Sequence, residues 1–179
     1  MQVVYRRLVK GDEGAYRQAH LEALKTFPEN FGTLHRDQER IPKLQFETFI
    51  ETGSEDNFMF GAFADDRLVG IAGFKRGDRP KTRHRGEVVQ VFVNPEFHGN
   101  GIGESLLRSV VDSVFALEGI ESLELSAVAS NSSARRLYEK LGFETYGIRN
   151  NYFKSGETYW DQRFMQLSKD RYLADDRPH

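Results

Sequence analysis

The segment Asn94-Pro95-Glu96-Phe97-His98-Gly99-Asn100-Gly101-Ile102-Gly103 limits what this chain can fold into more than any other. Three alternate glycines stand there between an apparent strand, Glu87 to Val93, and an apparent helix in which Ile102, Leu106, Leu107, Val110, Val111 and Val114 recur at helical spacing. Glycine lets the backbone take positive φ and approach a ligand closely, while the first turn of the helix has N–H groups without intrahelical partners. The macrodipole adds the equivalent of about half a positive charge at that end. The loop therefore reads as an anion cradle, and phosphate is the natural occupant. Its spacing rejects two phosphate chemistries. A Walker loop ends in Gly-Lys-Ser/Thr, whereas Gly103 is followed by Glu104. A dinucleotide fold wants G-x-G-x-x-G near the start of a βαβ unit, whereas here the glycines run 99, 101, 103 after a meander of strands. A pyrophosphate loop for coenzyme A and a plain strand-to-helix turn both survive.

The meander comes from the preceding sequence. Val3 to Leu8 alternates like a strand, and Asp12 to Phe27 reads as a helix stopped by Pro28. Pro28 to Ile41 is irregular, and a second helical stretch lies around Lys43 to Glu51. Phe58 to Ala64 and Leu68 to Arg76 are strands joined by a hairpin turn at Asp65-Asp66-Arg67. The basic run from Lys75 to Arg85 reads as a solvated loop. Beyond the glycine loop, Gly119 ends the helix and Leu123 to Val128 is a strand. Ser130 to Leu141 is a helix with Gly142 at its C-terminal end, and two last strands meet around Ser155-Gly156. Without repeats or low-complexity linkers, residues 1–179 are expected to form one domain, with a core over 2–168 and a frayed tail over 169–179.

A length of 179 residues with 39% apolar composition suits one such domain. A net charge of -2 gives no global attraction for nucleic acid or an acidic membrane, and neither is an expected partner. The absence of cysteine rules out a disulfide framework, a thiolate nucleophile and a cysteine metal site. The five histidines are scattered, with no H-E-x-x-H, so no metal is expected. The N-terminal residues lack the apolar run of a signal peptide, and no apolar stretch approaches the roughly 20 residues that span a bilayer. A cytoplasmic protein is the expectation.

Further along stands Asn131-Ser132-Ser133-Ala134-Arg135-Arg136-Leu137-Tyr138-Glu139-Lys140-Leu141-Gly142-Phe143. With the glycine loop it resembles the GNAT superfamily of acetyl-CoA-dependent N-acetyltransferases. The family's first motif reads Gln/Arg-x-x-Gly-x-Gly/Ala, and its second runs from an asparagine through an alanine to a Leu-Tyr-x-x-x-Gly-Phe ending. His98 stands where the family has glutamine or arginine, so a hydrogen-bond donor is kept but a fixed positive charge beside the phosphates is lost. The resemblance spans residues 2–168 and is closest over 87–143. It implies an α/β fold of the α+β type, a mixed and mostly antiparallel sheet of six to seven strands flanked by about four helices. That sheet would splay between the Glu87–Val93 and Leu123–Val128 strands to admit the coenzyme. Acetyl-CoA is the implied acetyl donor. Its pantetheine arm would pair with the backbone of Val91, Phe92 and Val93, and its pyrophosphate would rest on N–H groups along Gly99, Asn100, Gly101, Ile102, Gly103 and Glu104, next to His98. Asn131, Ala134 and Tyr138 would also touch it. As side chains, Val91 and Val93 are expected in the core.

Moving an acetyl group from a thioester to an amine requires an uncharged amine, a stabilised oxyanion and a proton for the leaving thiolate. A thiol has a pKa near 8.5 and a tyrosine near 10, so a phenol bonded to the sulfur can protonate it as charge develops. By the resemblance Tyr138 is this general acid. It lies two helical turns beyond Asn131, so both can face one ligand. The plain alternatives are a helix cap for Asn131 and packing for Tyr138. Glu87, fourteen residues before Gly101, stands where family members that acetylate histone lysines have a catalytic glutamate; the alternative is a solvated strand end. His20, Glu22 and His35 are further candidates for the base.

The acceptor would be framed by Phe27 to Arg40, with Phe31, and by the last strand pair. There Tyr152 and Tyr159 would line a pocket and Asp161 would attract an ammonium group. The amine, on a small molecule or on a protein or peptide, is not legible. Family members often pair through their C-terminal strands, which implies a homodimer. With no cysteine to carry the acetyl group, transfer would be direct, in a ternary complex. Two rival readings predict different binding: a coenzyme A-binding regulatory domain would hold acetyl-CoA without turnover, and a nicotinamide oxidoreductase would bind NADH.

Overall fold

The computed structural model describes residues 2–175. Seven strands form a mixed, mostly antiparallel sheet in the order β1-β2-β3-β4-β5-β7-β6. By its internal contacts the chain divides into two compact units, residues 2–75 with 88–114 and residues 76–87 with 115–175.

In the first unit, β1 (Val3–Arg7) runs antiparallel to β2 (Asn57–Ala64), and β2 to β3 (Arg67–Arg76). The β2–β3 loop is the two residues Asp65 and Asp66, both left-handed (φ 46° and 65°). That is the turn whose twist matches a tight hairpin. Helices α1 (Glu13–Thr26), α2 (His35–Glu39), α3 (Gln45–Thr52) and α4 (Ile102–Phe115) accompany these strands. Tyr16, Ala23, Phe46, Ile50, Met59, Ile71 and Phe92 form the core, with Phe27, Phe31 and Phe49 packed against it. On α4, Leu106, Leu107, Val110, Val111 and Val114 are wholly buried, the apolar stripe that the helical spacing predicts.

Strand β4 (Arg85–Val93) spans both units. Its first residues pair in parallel with β5 (Ser122–Val128), from Arg85↔Ser122 to Glu87↔Glu124. β5 runs antiparallel to β7 (Thr158–Ser168), which pairs in turn with β6 (Glu144–Ser155). Helix α5 (Ser132–Lys140) follows β5.

Three expectations change. The segment Pro28 to Ile41 contains a 3-10 turn, Pro28–Asn30, and the short helix α2, each too short to show a period in sequence. Lys169 to Asp175 form helix α6, so the described residues hold six helices where about four were expected, on the expected fold. Helix α6 is held by Tyr172, buried against Phe115 with ring centroids 5.6 Å apart, by Ser168 Oγ accepting from Arg171 N–H (3.2 Å) and by the Arg171–Glu144 ion pair (2.6 Å). Residues 176–179 of the expected tail lie outside the described residues. Finally, Val88 and Phe92 are the buried apolar side chains of β4, and Val91 and Val93 are half-buried rather than core.

Candidate active site

The glycine loop lies within the first unit. After β4, the Asn94 side chain accepts from the Glu96 N–H (3.0 Å) and closes a 3-10 turn, Pro95–Phe97. Gly99 and Gly101 are left-handed, φ 80° and 72°, and a Cβ added at either would meet nothing within 4 Å. The first helical bond of α4 is Ser105 N–H to Gly101 O, 3.1 Å. The loop leads into the positive end of the helix dipole. The loop thus has bent backbone, open space and a positive helix end together, which is what a pyrophosphate needs. His98 is exposed but turned back on its own strand. Its Nε2 donates to Val93 O at 2.7 Å, and its ring lies flat on Phe27 (6.3 Å, 8°).

In the second unit, helix α5 carries Tyr138. Asn131 caps α5, its Oδ1 accepting from Ala134 N–H at 3.0 Å. That uses the Ala134 N–H and leaves the Asn131 amide NH₂ as the group able to donate elsewhere. At the other end, Gly142 is left-handed (φ 92°), Gly142 N–H bonds Glu139 O (2.9 Å) and Phe143 N–H bonds Tyr138 O (3.0 Å). This is a Schellman cap, and its usual apolar contact is made by Tyr138 against Phe143, edge to face at 6.2 Å. The Leu-Tyr-x-x-x-Gly-Phe wording is therefore the spelling of a helix end that locks the tyrosine ring. Burial pushes the Tyr138 phenol up to about 12.

A stability prediction follows from that shift. Folded Tyr138 keeps its proton where an unfolded phenol, at about 10, loses it, so stability is full below pH 10 and falls as pH rises toward about 12, by about 2–3 kcal/mol. Burial moves Tyr16 in the same direction. Thermal midpoints measured from pH 9 to 12 are expected to fall less steeply in Tyr138→Phe than in wild type; equal slopes would refute the assignment.

The other candidates are distributed as follows. Glu87 is exposed on β4 opposite Glu124, which bonds Arg85 at 2.9 Å. His20 is 2% exposed beside Gln38 (3.4 Å), and burial lowers its pKa. The Glu22 carboxylate accepts from Asn94 Nδ2 at 2.8 Å. His35, on α2, lies 4.0 Å from Glu39. Phe31 packs on the first unit's core. Tyr152 lies edge to face with Phe164 (5.5 Å), and Lys154 sits over the Tyr159 ring (5.0 Å). Asp161 holds the β6 bulge, accepting from Asn151 N–H at 2.8 Å where Asn151 is left-handed (φ 52°). Its carboxylate has a structural partner as well as a suitable charge. Among the described residues no three or more His, Asp or Glu gather as metal ligands, and no helix is long and apolar enough to cross a membrane.

Sequence reading missed one feature. Gln90, inside β4, is left-handed (φ 53°), and its Oε1 accepts from the Tyr16 hydroxyl at 2.9 Å. The signal was a polar residue at an inward position of Glu87-Val88-Val89-Gln90-Val91-Phe92-Val93.

Comparison with known proteins identifies the family. Residues 18–143 match the acetyltransferase (GNAT) family. The N-alpha-acetyltransferase RimI of Mycobacterium tuberculosis is 34% identical over 72% of this chain and 87% of its own length. The ribosomal protein bS18-alanine N-acetyltransferase of Salmonella typhimurium is 30% identical over 68% of this chain and 78% of its own. The structure of yncA from Salmonella typhimurium with its cofactor acetyl-CoA has the same fold, with a TM-score of 0.76 at 19% identity, covering 94% of both chains.

Proposed function

The chain belongs to the acetyltransferase (GNAT) family, and on that premise we propose that it moves an acetyl group from acetyl-CoA directly to an amine. The observation that carries the reading is the glycine cradle, left-handed and open at the N-terminus of α4. Backbone N–H groups over 99–104 hold the donor's pyrophosphate, and Val91 to Val93 face its peptide-like arm. The amine nitrogen attacks the thioester carbon, the C–N bond forms and the C–S bond breaks. Tyr138 O–H hydrogen-bonds the sulfur as negative charge arrives there; Glu87 takes the proton that nitrogen releases and sulfur gains one in exchange, so the net proton of the thiol is the amine's. The products are the acetylated amine and the free thiol of coenzyme A.

For the acceptor we favour the α-amino group of a protein or peptide, supported by what the two relatives' names say they acetylate. The choice also suits the base. An α-amine has a pKa of about 7.7–8.0 against about 10.4 for lysine, so roughly a tenth of it is already uncharged at pH 7 against less than about a thousandth of lysine, and the demand on an exposed carboxylate is smaller. The test is thiol release from acetyl-CoA with peptides bearing a free N-terminus, the same peptides N-terminally blocked but containing lysine, and small amines. Free α-amines are expected to accelerate release most. Tight acetyl-CoA binding without turnover on any amine would instead support a regulatory coenzyme A-binding domain.

A further inference from the structure

Gln90 breaks the regularity of β4. A left-handed residue other than glycine costs on the order of 1–3 kcal/mol and persists only where its surroundings impose it. In a strand such a residue marks a bulge that re-aims the neighbouring backbone. What holds it here is on α1. Tyr16, 1% exposed, donates its hydroxyl to Gln90 Oε1 at 2.9 Å. The Tyr16 ring is fixed in turn by the stacked His20 ring (5.8 Å, 15°) and by Phe46 (6.1 Å). The same helix and its end grip the chain further on: Glu22 accepts from Asn94 Nδ2 at 2.8 Å, and Phe27 lies edge to face with Phe92 (6.3 Å) and flat on His98. Helix α1 is thus a splint along residues 90–98.

We infer that Tyr16 is a positioning residue for acetyl transfer, its hydroxyl holding the Gln90 bulge and through it aiming the Val91–Val93 backbone at the donor. The inference rests on the acetyltransferase reading. A tyrosine that served only as core would need its ring; the hydroxyl, aimed across 74 residues of sequence at the one left-handed residue of β4, is what the bulge uses.

The experiment compares Tyr16→Phe, Gln90→Gly and the double variant by two measurements. One is the backbone amide and Cα resonances of residues 90–93 without ligand; the other is thiol release with acetyl-CoA and an accepted amine. Tyr16→Phe is expected to move the resonances of 90–93, lower kcat about 10-fold, and raise the KM for acetyl-CoA by no more than about five-fold, because the backbone facing the donor's arm shifts while the cradle at 99–104 is untouched. Glycine keeps a left-handed φ without a tether, so the double variant is expected to recover most of the lost kcat. Unmoved resonances with unchanged kcat, even alongside a lower thermal midpoint, would reduce Tyr16 to packing. Loss of kcat that Gln90→Gly does not restore would also overturn the inference. Absence of thiol release from the wild type with every amine would count against the acetyltransferase reading, and the resonances of 90–93 would still decide whether Tyr16 holds the bulge.

Discussion

Tyr138→Phe is expected to lower turnover with acetyl-CoA by about 10²–10³-fold while acetyl-CoA affinity stays within about three-fold. The substitution isolates the hydroxyl. Phenylalanine keeps the ring against Phe143 and the Schellman cap that seats it, so the fold and the cofactor grip have no reason to move. The size of the effect follows from the leaving group. A thiolate of pKa about 8.5 departs fairly well unaided, which keeps the loss in the lower part of the range for general acids. A phenol pushed to about 12 is fully protonated at neutral pH, so the donor is always in its working form. Complete transfer to a free thiolate would run uphill by about 3–4 units, roughly 5 kcal/mol. On the proposed mechanism the hydroxyl therefore acts chiefly by hydrogen bonding to sulfur while the C–S bond stretches, the net proton arriving from the amine. Wild-type turnover should accordingly show no acid limb falling between pH 8 and 10. Unchanged kcat in the variant, measured as thiol release at saturating acetyl-CoA, would remove Tyr138 from the chemistry.

Elements governed by local rules were legible in the sequence. The Asp65-Asp66 hairpin, α4 with its Leu106–Leu107–Val110–Val111 stripe, and the Gly142 helix end each follow from spacing and turn chemistry within a few residues. The strand order did not, because β5 pairing with β7 rather than β6 is a long-range choice with no local mark. Helix α6 was hidden for a related reason: residues after Lys169 read as frayed, and the contacts that fix them, Tyr172 on Phe115 and Arg171 on Glu144, are far away in sequence. The candidate site divides along the same line. Backbone functions, the cradle at 99–103 and the seat of Tyr138, were spelled out by glycines. Side-chain duties were not: Asp161 and Glu22 are charges whose partners, Asn151 N–H and Asn94 Nδ2, the sequence could not name. His98, the irregular position of the first motif, is another case. In the structure it serves the strand end at Val93 and the Phe27 ring.

If the cradle binds the donor through backbone and helix dipole, a charge placed in it should matter more than a shape. Gly101 is the position to use, since an added Cβ meets nothing within 4 Å and the only steric cost is its left-handed φ of 72°. Asparagine and aspartate tolerate that conformation better than other side chains and are nearly the same size, so Gly101→Asn measures the backbone cost and Gly101→Asp adds one negative charge. A carboxylate about 5 Å from one phosphate charge, at an effective dielectric constant near 20, is repelled by about 3 kcal/mol. Gly101→Asp is therefore expected to bind acetyl-CoA about 100-fold more weakly than Gly101→Asn at low salt. Raising ionic strength toward 1 M shortens the screening length from about 10 Å at 0.1 M to about 3 Å and should close most of that gap. The fold should not share the penalty, because a carboxylate near a helix N-terminus favours the helix itself, so the two variants should unfold at similar temperatures or the aspartate slightly higher. Titration of acetyl-CoA by calorimetry at two salt concentrations, with thermal midpoints alongside, separates the terms. Equal affinities of the two variants at low salt would mean that the pyrophosphate does not lie on this loop.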